Sequence, residues 1–502
     1  MYKSILEIWP HPSLTEIKIR WLQIKNHKLI SNAGLYVSGE ILQKGVAFLL
    51  VPIWARFLTP HDYGIIGTLA AFSGVLLTLF VMGLQGAVVR YFYDYSDNTG
   101  QQKNFITALV LFQMVLPGIA LLALNIWGPL LWDYFVKASF PFDPYVRLML
   151  WSTYVASLLQ IPLALYRAQQ KAISVVYAQY GQFFIAVISH FIFLVGLRWG
   201  AYGVLFSQFL AGFILAIILI LLLFRTWFTW PLNWTHVQTG LIYGLPLVPH
   251  LLADWVMRLG DRIILTRMVS LSEIGLYSLG CTLGGIMGFI VSGINQAWSP
   301  YYFRLMKSDP DPSEKMIRII TPYVATISGI CLIAILFAGE LIYIFLPERF
   351  YGSVPYVAPI LIAHLMIGFY YFAVAPLYFY KKTKLIPILT GAGAILNIVL
   401  NLLLIPHFGA IAAAWTTAAS NGFVFLIFFL ASRKYQKINW PLLKYGLLVF
   451  VVTISAVTAS HLDTLGLKAL ITKFVFLLVY VLLAYLILIN NNRKAKYQNS
   501  RI

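Results

Sequence analysis

Long apolar runs separated by short polar turns recur along nearly the whole chain. Fourteen can be marked, at about 32–57, 63–88, 104–127, 146–166, 172–197, 201–224, 240–262, 273–296, 317–345, 354–379, 385–405, 409–431, 441–460 and 466–489. A bilayer crossing takes roughly 20 apolar residues. Inside lipid each backbone polar group needs a partner within its own segment, so runs of this length are read as helices. The weak alternating segments of a membrane barrel do not occur. The longest polar stretches between runs lie near 128–145, 225–239 and 299–316, too short for a large extramembrane domain. The expected fold class is all-α and integral to a membrane, with about 14 transmembrane helices.

Composition supports this pattern. Of 502 residues, 60% are hydrophobic and only 11% charged, against about 25% charged in soluble domains. An even number of crossings places both termini on one side, and Lys and Arg mark the cytoplasmic side. Of the 36 Lys and Arg, 25 fall in the termini and the turns after even-numbered segments, ten on the opposite side, and Lys44 within a segment. Both termini are therefore expected in the cytoplasm. The same bias explains most of the net charge of +19, and without a basic soluble domain no nucleic-acid partner is expected. Residues 1–30 lack the apolar core of a signal peptide and read as a cytoplasmic lead-in; residues 491–502 read as a cytoplasmic tail. Cys281 and Cys331 lie inside apolar segments without metal-ligand spacing and read as packing residues, so no metal or cofactor is expected.

The chain also repeats itself. RFLTPHDYGI from Arg56 matches RMVSLSEIGL from Arg267, pairing Arg56 with Arg267, Thr59 with Ser270, Asp62 with Glu273 and Gly64 with Gly275 at an offset of 211. WGAYGVLFSQ from Trp199 matches FGAIAAAWTT from Phe408 at an offset of 209, with Gly200 opposite Gly409 and Ala201 opposite Ala410. Basic turns precede both, at Arg167 and after Tyr380. Residues 31–230 (helices 1–6) and 236–435 (helices 7–12) thus read as two copies of one unit, with helices 13 and 14 (441–490) added. An even number of helices per copy makes the copies parallel, related by an axis along the membrane normal, an arrangement that places substrate between halves.

This six-plus-six-plus-two plan resembles the polysaccharide exporters of the multidrug/oligosaccharidyl-lipid/polysaccharide (MOP) superfamily, and among them the bacterial O-antigen-unit flippases. The residues that carry the resemblance are the turn with Asp62, Tyr63 and Gly64, and the seventh helix with Gly244, Leu245 and Pro246 at its opening and Asp261 and Arg262 at its close. It covers about residues 30–435. It implies a V-shaped alternating-access transporter in the bacterial inner membrane that flips an undecaprenyl-pyrophosphate-linked oligosaccharide, an O-antigen or exopolysaccharide repeat unit. The implied partners are that lipid-linked oligosaccharide, membrane lipids, and the polysaccharide polymerase and assembly proteins. Some members of the family couple transport to protons or sodium.

Ionisable residues inside apolar segments are the candidate chemistry, since each costs about 2.5–3.5 kcal/mol at the bilayer centre on insertion scales. Helix 1 carries Glu40 and Lys44; helix 7 carries Asp254 and Arg258, then Asp261 and Arg262. An acid one turn ahead of a base is the favourable helical orientation, and helices 1 and 7 are equivalent in the repeat. One reading is mutual neutralisation within a packed helix. The preferred reading is a hydrated central cavity, in which Lys44, Arg258 and Arg262 attract pyrophosphate or an acidic sugar, Arg through bidentate hydrogen bonds. Glu40, Asp254 and Asp261 would then be the candidate ion- or proton-coupling carboxylates. Arg90, near Asp94 at the end of helix 2, is a further candidate for meeting the diphosphate, with interfacial anchoring the simpler role. Arg56 and Arg267 read either as anchors or as gate partners of Asp62 and Glu273. His190 and His250 read as packing residues. Pro246 and Pro249 interrupt helix 7 and mark a candidate hinge. Gly280, Gly284 and Gly288 form a stripe on helix 8 that suits close helix packing.

Three other readings compete. A membrane glycosyltransferase or polymerase needs a long external loop, and none is present. No phosphate-binding GxxxxGK[ST] pattern occurs, so nucleotide hydrolysis by this chain is not expected. A drug/cation antiporter of the same superfamily would stop at twelve helices, and a peptidoglycan-precursor flippase shares the count of fourteen.

Overall fold

A computed structural model describes residues 28–135, 140–309, 312–437, 440–459 and 466–499, apart from the side chains of 28–42, 131, 133–135, 459 and 490–499. The described chain is helical almost throughout, with no strand. In order, the helices are α1 (Lys28–Phe57), α2 (Pro60–Asp94), α3 (Thr99–Phe135), α4 (Phe142–Ala168), α5 (Ala172–Gly196), α6 (Gly200–Trp227) and α7 (Thr235–Leu265). They continue as α8 (Leu271–Ser308), α9 (Pro312–Phe345), α10 (Glu348–Phe379), α11 (Leu385–Phe408), α12 (Ala410–Ser432), α13 (Leu442–Ala459) and α14 (Leu467–Asn499). Among the described residues, twelve helices are long and apolar enough to cross a membrane; α13 is a shorter apolar helix, and α1 is described in side chain only from residue 43. Two polar stretches taken from the sequence as loops are largely helical. α3 runs on to Phe135, and α8 runs on to Ser308, where Tyr302 and Leu305 are buried.

Helices α4, α5 and α6 pack together in the first half as α10, α11 and α12 do in the second. α13 and α14 attach to α9 and α10 of the second half. Thr321 and Tyr445 share a 2.8 Å hydrogen bond there, Tyr480 Oη donates to the Ala325 carbonyl at 2.5 Å, and Lys473 forms an ion pair with Glu340.

The duplication is realised in detail at the end of the molecule where α1 stops and α2 starts, called here the distal end. Pro60 occupies the first turn of α2, where its missing N–H costs nothing. Thr59 caps that helix: its Oγ1 accepts from the Asp62 N–H at 3.1 Å, while Asp62 Oδ2 accepts from the Thr59 N–H at 2.8 Å. Ser270 caps α8 equivalently, accepting from the Glu273 N–H at 3.2 Å. Each acid then reaches across its own half. Asp62 accepts from the Ala201 N–H at 3.1 Å and Glu273 from the Ala410 N–H at 2.8 Å, so each acid caps the sixth helix of its repeat. A carboxylate suits a helix N-terminus, where N–H groups and the helix dipole are unopposed. The glycines before these helices, Gly200 (φ +56°) and Gly409 (φ +64°), take a backbone conformation in which side chains are strained. The two acids thus bind hydroxyls and helix ends, which accounts for their place in the motif.

The two halves meet where α2 crosses α8. A Cβ on Gly64 would lie 1.9 Å from the Leu271 carbonyl oxygen, and a Cβ on Gly275 would lie 1.7 Å from that of Pro60. Pro60 and Leu271 are themselves equivalent at the same offset as Gly64 and Gly275. The contact is therefore self-complementary, as a two-fold axis requires. Two turns in, Gly67 touches its own counterpart, Ser278, so the axis passes between them. Only glycine allows backbone to approach backbone this closely. Removing either acid should weaken its half alone: Asp62→Ala or Glu273→Ala is expected to cost about 1–2 kcal/mol, read as a lowered melting temperature of the detergent-purified protein, and the double variant should be additive.

Candidate functional site

Helix α7 runs beside the crossing and is built in pieces. An α-helix over Thr235–Gly244 gives way to a 3₁₀ turn at Leu245–Leu247, resumes at Val248–Trp255, widens to a π-turn at Val256–Gly260 and closes as α-helix at Asp261–Leu265. Pro246 and Pro249 account for the first break, since each lacks an N–H and crowds the preceding turn. No side chain from Leu245 to Gly260 is fully buried, and α7 is the least buried of the twelve spans. A helix this irregular and this uncovered is not part of a packed protein core.

One face of α7 is held to the first half. Trp255 Nε1 donates to the Ala71 carbonyl of α2 at 3.1 Å, and its ring lies against Gly74. Near the opposite, proximal end, Gly244 meets Met82 and Gly83, where α2 is itself broken by two left-handed residues. Another face of α7 turns to α11, where His250 Nδ1 and Thr390 Oγ1 share a 3.4 Å contact.

The structure separates the charges that look alike in the sequence. Asp254 and Arg258 form an ion pair along α7 with their side chains 46% and 70% exposed. The pair lies within electrostatic reach of His364, Tyr370 and Tyr371 of α10. Lys44 of α1 sits over the half-exposed Phe289 ring of α8, 4.9 Å from its centre, a cation–π contact between the two halves. Charges this exposed at membrane depth are tolerable where they face water or a polar ligand.

Asp261 and Arg262 behave differently, for both are buried. Asp261 accepts from the Arg262 backbone N–H at 2.7 Å and from Arg262 Nη1 at 3.3 Å, and Tyr277 Oη donates to its other oxygen. Arg262 also donates to the Arg258 carbonyl at 3.3 Å and stacks over the Tyr277 ring at 5.3 Å. The Cys281 side chain lies beside the same guanidinium. This knot sits behind the α2–α8 crossing, with Arg262 in van der Waals reach of Gly67. Ser278 Oγ and Thr68 Oγ1 are buried beside that crossing without hydrogen-bond partners. In this conformation, then, Asp261 and Arg262 are packed away, Asp254 and Arg258 are accessible, and Lys44 is part-buried.

Arg90 pairs with Asp94 at 3.4 Å on the surface. The Glu40 side chain lies outside the described residues. His190 packs against the Trp54 ring at 5.4 Å, beside α6. Gly280, Gly284 and Gly288 lie against Tyr356, Ile360 and His364, so that stripe packs α8 on α10 within one half. Among the described residues no three His, Cys, Asp or Glu side chains gather as metal ligands would. Two contacts were not anticipated. Glu340 and Lys473 were findable, as ionisable residues within apolar segments. Arg349, which donates to the Ala55 and Arg56 carbonyls of α1, was not, because nothing in its own segment shows that it reaches that helix.

Comparison with known proteins follows the same lines. The family profile described as "Polysaccharide biosynthesis protein" matches residues 29–306. Lsg locus protein 1 of Haemophilus influenzae is 24% identical over 373 residues, covering 72% of this chain and 87% of that protein. A membrane protein of the same organism is 24% identical over 365 residues, covering 71% and 85%. Among solved structures, the lipid II flippase MurJ in an inward closed conformation superposes with a TM-score of 0.69 at 12% identity, covering 93% of this chain and all (100%) of that one. An inward-facing multidrug resistance MATE family transporter of the MOP superfamily superposes with a TM-score of 0.62 at 13% identity, covering 81% and 94%. The fold is accordingly that of MOP-superfamily transporters.

The two arginines of α7 should respond oppositely to truncation. Arg262→Ala leaves Asp261 buried and unpaired and is expected to cost about 3–5 kcal/mol. Arg258→Ala removes an exposed partner and should cost at most about 1 kcal/mol. Thermal melting of the two purified variants checks this, and equal losses would contradict the burial of the knot.

Proposed function

This chain belongs to the polysaccharide biosynthesis protein family, and we propose that within it the protein is a flippase for an undecaprenyl-pyrophosphate-linked oligosaccharide, an O-antigen or exopolysaccharide repeat unit. The observation that carries this reading is the accessible ion pair Asp254–Arg258 on the least-covered helix, with Lys44 between the halves. A glycan head group must cross the hydrocarbon layer without being desolvated, and a polar path between two lobes is the physical means. Arg258 and Lys44 would hold the pyrophosphate electrostatically; Arg258 can leave Asp254 for a stronger bidentate partner. Tyr370 and Tyr371 near the pair offer ring faces and hydroxyls to sugar.

The mechanism we infer is rocking of the two halves about the bound head group while the polyprenyl chain stays in lipid. α7 supplies the flexible element: its 3₁₀ and π turns absorb changes of backbone angle at little cost, because their hydrogen bonds are already irregular. Asp254 and the acid of the first helix, Glu40, are the candidate coupling carboxylates. The reading carries no catalytic residue and places the protein in the inner membrane, with both termini cytoplasmic, beside the polymerase that would use the flipped unit.

Expression in cells lacking their own O-antigen flippase, with the matched glycan-assembly enzymes, tests the proposal. Surface glycan should be restored, and Arg258→Gln or Lys44→Gln should cut it about tenfold or more at unchanged membrane abundance, as loss of a charge-assisted contact implies. No restoration by an inserted protein with a verified substrate would turn the assignment to lipid II or to cationic drugs. In the same assay Pro246→Ala should lower transport while leaving insertion unchanged; equal loss of both would make the break in α7 a static kink.

A further inference from the structure

The distal end is sealed by more than the α2–α8 crossing. α1 ends at Phe57, and like every helix it leaves its last carbonyls without partners of their own. Arg349, from the turn that opens α10 in the other half, supplies those partners: its Nη2 donates to the Ala55 carbonyl at 3.0 Å and to the Arg56 carbonyl at 2.7 Å. A cation at a helix C-terminus also meets the negative end of the helix dipole. Next to it, Tyr63 of α2 packs edge-to-face on Phe350 at 5.3 Å. So a side chain of the second half completes a helix of the first, at the mouth of the seam whose floor is Gly64, Gly275, Gly67 and Ser278. Beneath this seam lie Asp261, Arg262, Tyr277 and Cys281.

We infer that Arg349 is the latch of a distal gate. While it caps α1, the halves stay closed at this end and the Asp261–Arg262 knot is dry. When it lets go, α2 parts from α8, Arg262 becomes accessible from the distal side, and Cys281, part-buried in the closed form, becomes more so. The geometry favours reversible release. Arg349 is surface-exposed and gives up two carbonyl bonds that water can replace. At its two tightest points the seam is glycine against backbone with no interlocked side chain, and Ile65, Leu69, Leu271 and Ile274 are buried alongside. Opening would also hydrate Ser278 and Thr68, whose buried hydroxyls lack partners in the closed form. Asp62 and Glu273 tie each gate helix to the sixth helix of its own half, so the parting runs between halves rather than within one. The two arginine sites of α7 then serve different states: Arg258 is reachable with the distal gate closed, Arg262 only with it open. This rests on the two-lobe transport reading above.

Cys281 is a built-in reporter. With Cys331→Ala it is the one remaining cysteine of the chain's two. Membrane vesicles of either orientation would be treated with a bulky thiol reagent that does not cross the bilayer. The inference predicts slow labelling of Cys281 from the distal face only. Arg349→Ala should speed it about tenfold, because labelling follows the open population, and Arg349→Lys should fall between. Gly64→Val, which cannot close against Leu271, should speed it as well. Arg318→Ala, which removes a surface pair with Glu314 far from the seam, should leave the rate unchanged. Rates are compared only on protein that keeps the parent's melting temperature. Arg349→Ala and Arg349→Lys labelled at the parent rate, no labelling in any variant, or labelling from the opposite face alone would each overturn the latch. The assay needs no glycan, so failure to restore surface glycan would reject the substrate and leave the gate standing.

Discussion

Two helices that start at equivalent points of a duplicated chain approach until the backbone of one touches the backbone of the other. Much else in the molecule follows from that contact. Gly64 and Gly275 have no Cβ to hold the helices apart, so α2 and α8 close face to face about the axis that relates the repeats. Once they close, whatever stands behind them is cut off from water. The Asp261–Arg262 pair is tolerated there because Tyr277 and the Arg258 carbonyl complete its hydrogen bonds. Buried ion pairs are costly unless satisfied in this way. The same contact leaves the rest of α7 beside the seam, uncovered on the side where Asp254 and Arg258 lie.

α7 thereby carries two acid–base pairs with opposite characters within a few residues of each other. The exposed pair contributes little to stability, since water screens it, and it is free to exchange partners. The buried pair stabilises one arrangement of the halves and resists change. A transporter needs both kinds: groups that trade water for substrate readily, and groups whose burial makes one conformation distinct from another. The proline and π turns between rigid pieces of α7 fit a helix that must satisfy both demands.

Among the described residues, the added pair α13–α14 packs on α9 and α10 of the second half. Lys473 is buried against Glu340, and Tyr480 and Tyr445 reach the backbone or hydroxyls of α9. One oxygen of Glu340 is buried without a hydrogen-bond partner, so its attraction to Lys473 is what makes this burial tolerable. These helices would travel with α7–α12 as a body. The architecture is shared with MOP-superfamily transporters of very different cargo, which is why the cargo must be argued from family membership and the charges rather than from the fold.

The sequence by itself determined the membrane class, the order of helices, the duplication and the family. Each depends on local properties, such as apolar length, period, turn chemistry and motif residues, that are written consecutively in the chain. It also singled out Asp62 with Glu273 and Gly64 with Gly275 as paired positions, though not that the acids cap α6 and α12 or that the glycines meet across the axis. What only the tertiary structure decided was exposure. Asp254–Arg258 and Asp261–Arg262 read alike along the helix, because a helical pattern reports spacing and not what stands opposite each face. Whether a charge faces a cavity or a neighbouring helix depends on how α2 and α8 cross, residues 200 or more apart in the chain. Arg349 was invisible for the same reason: its partners are the carbonyls of α1, and a backbone carbonyl has no letter in a sequence.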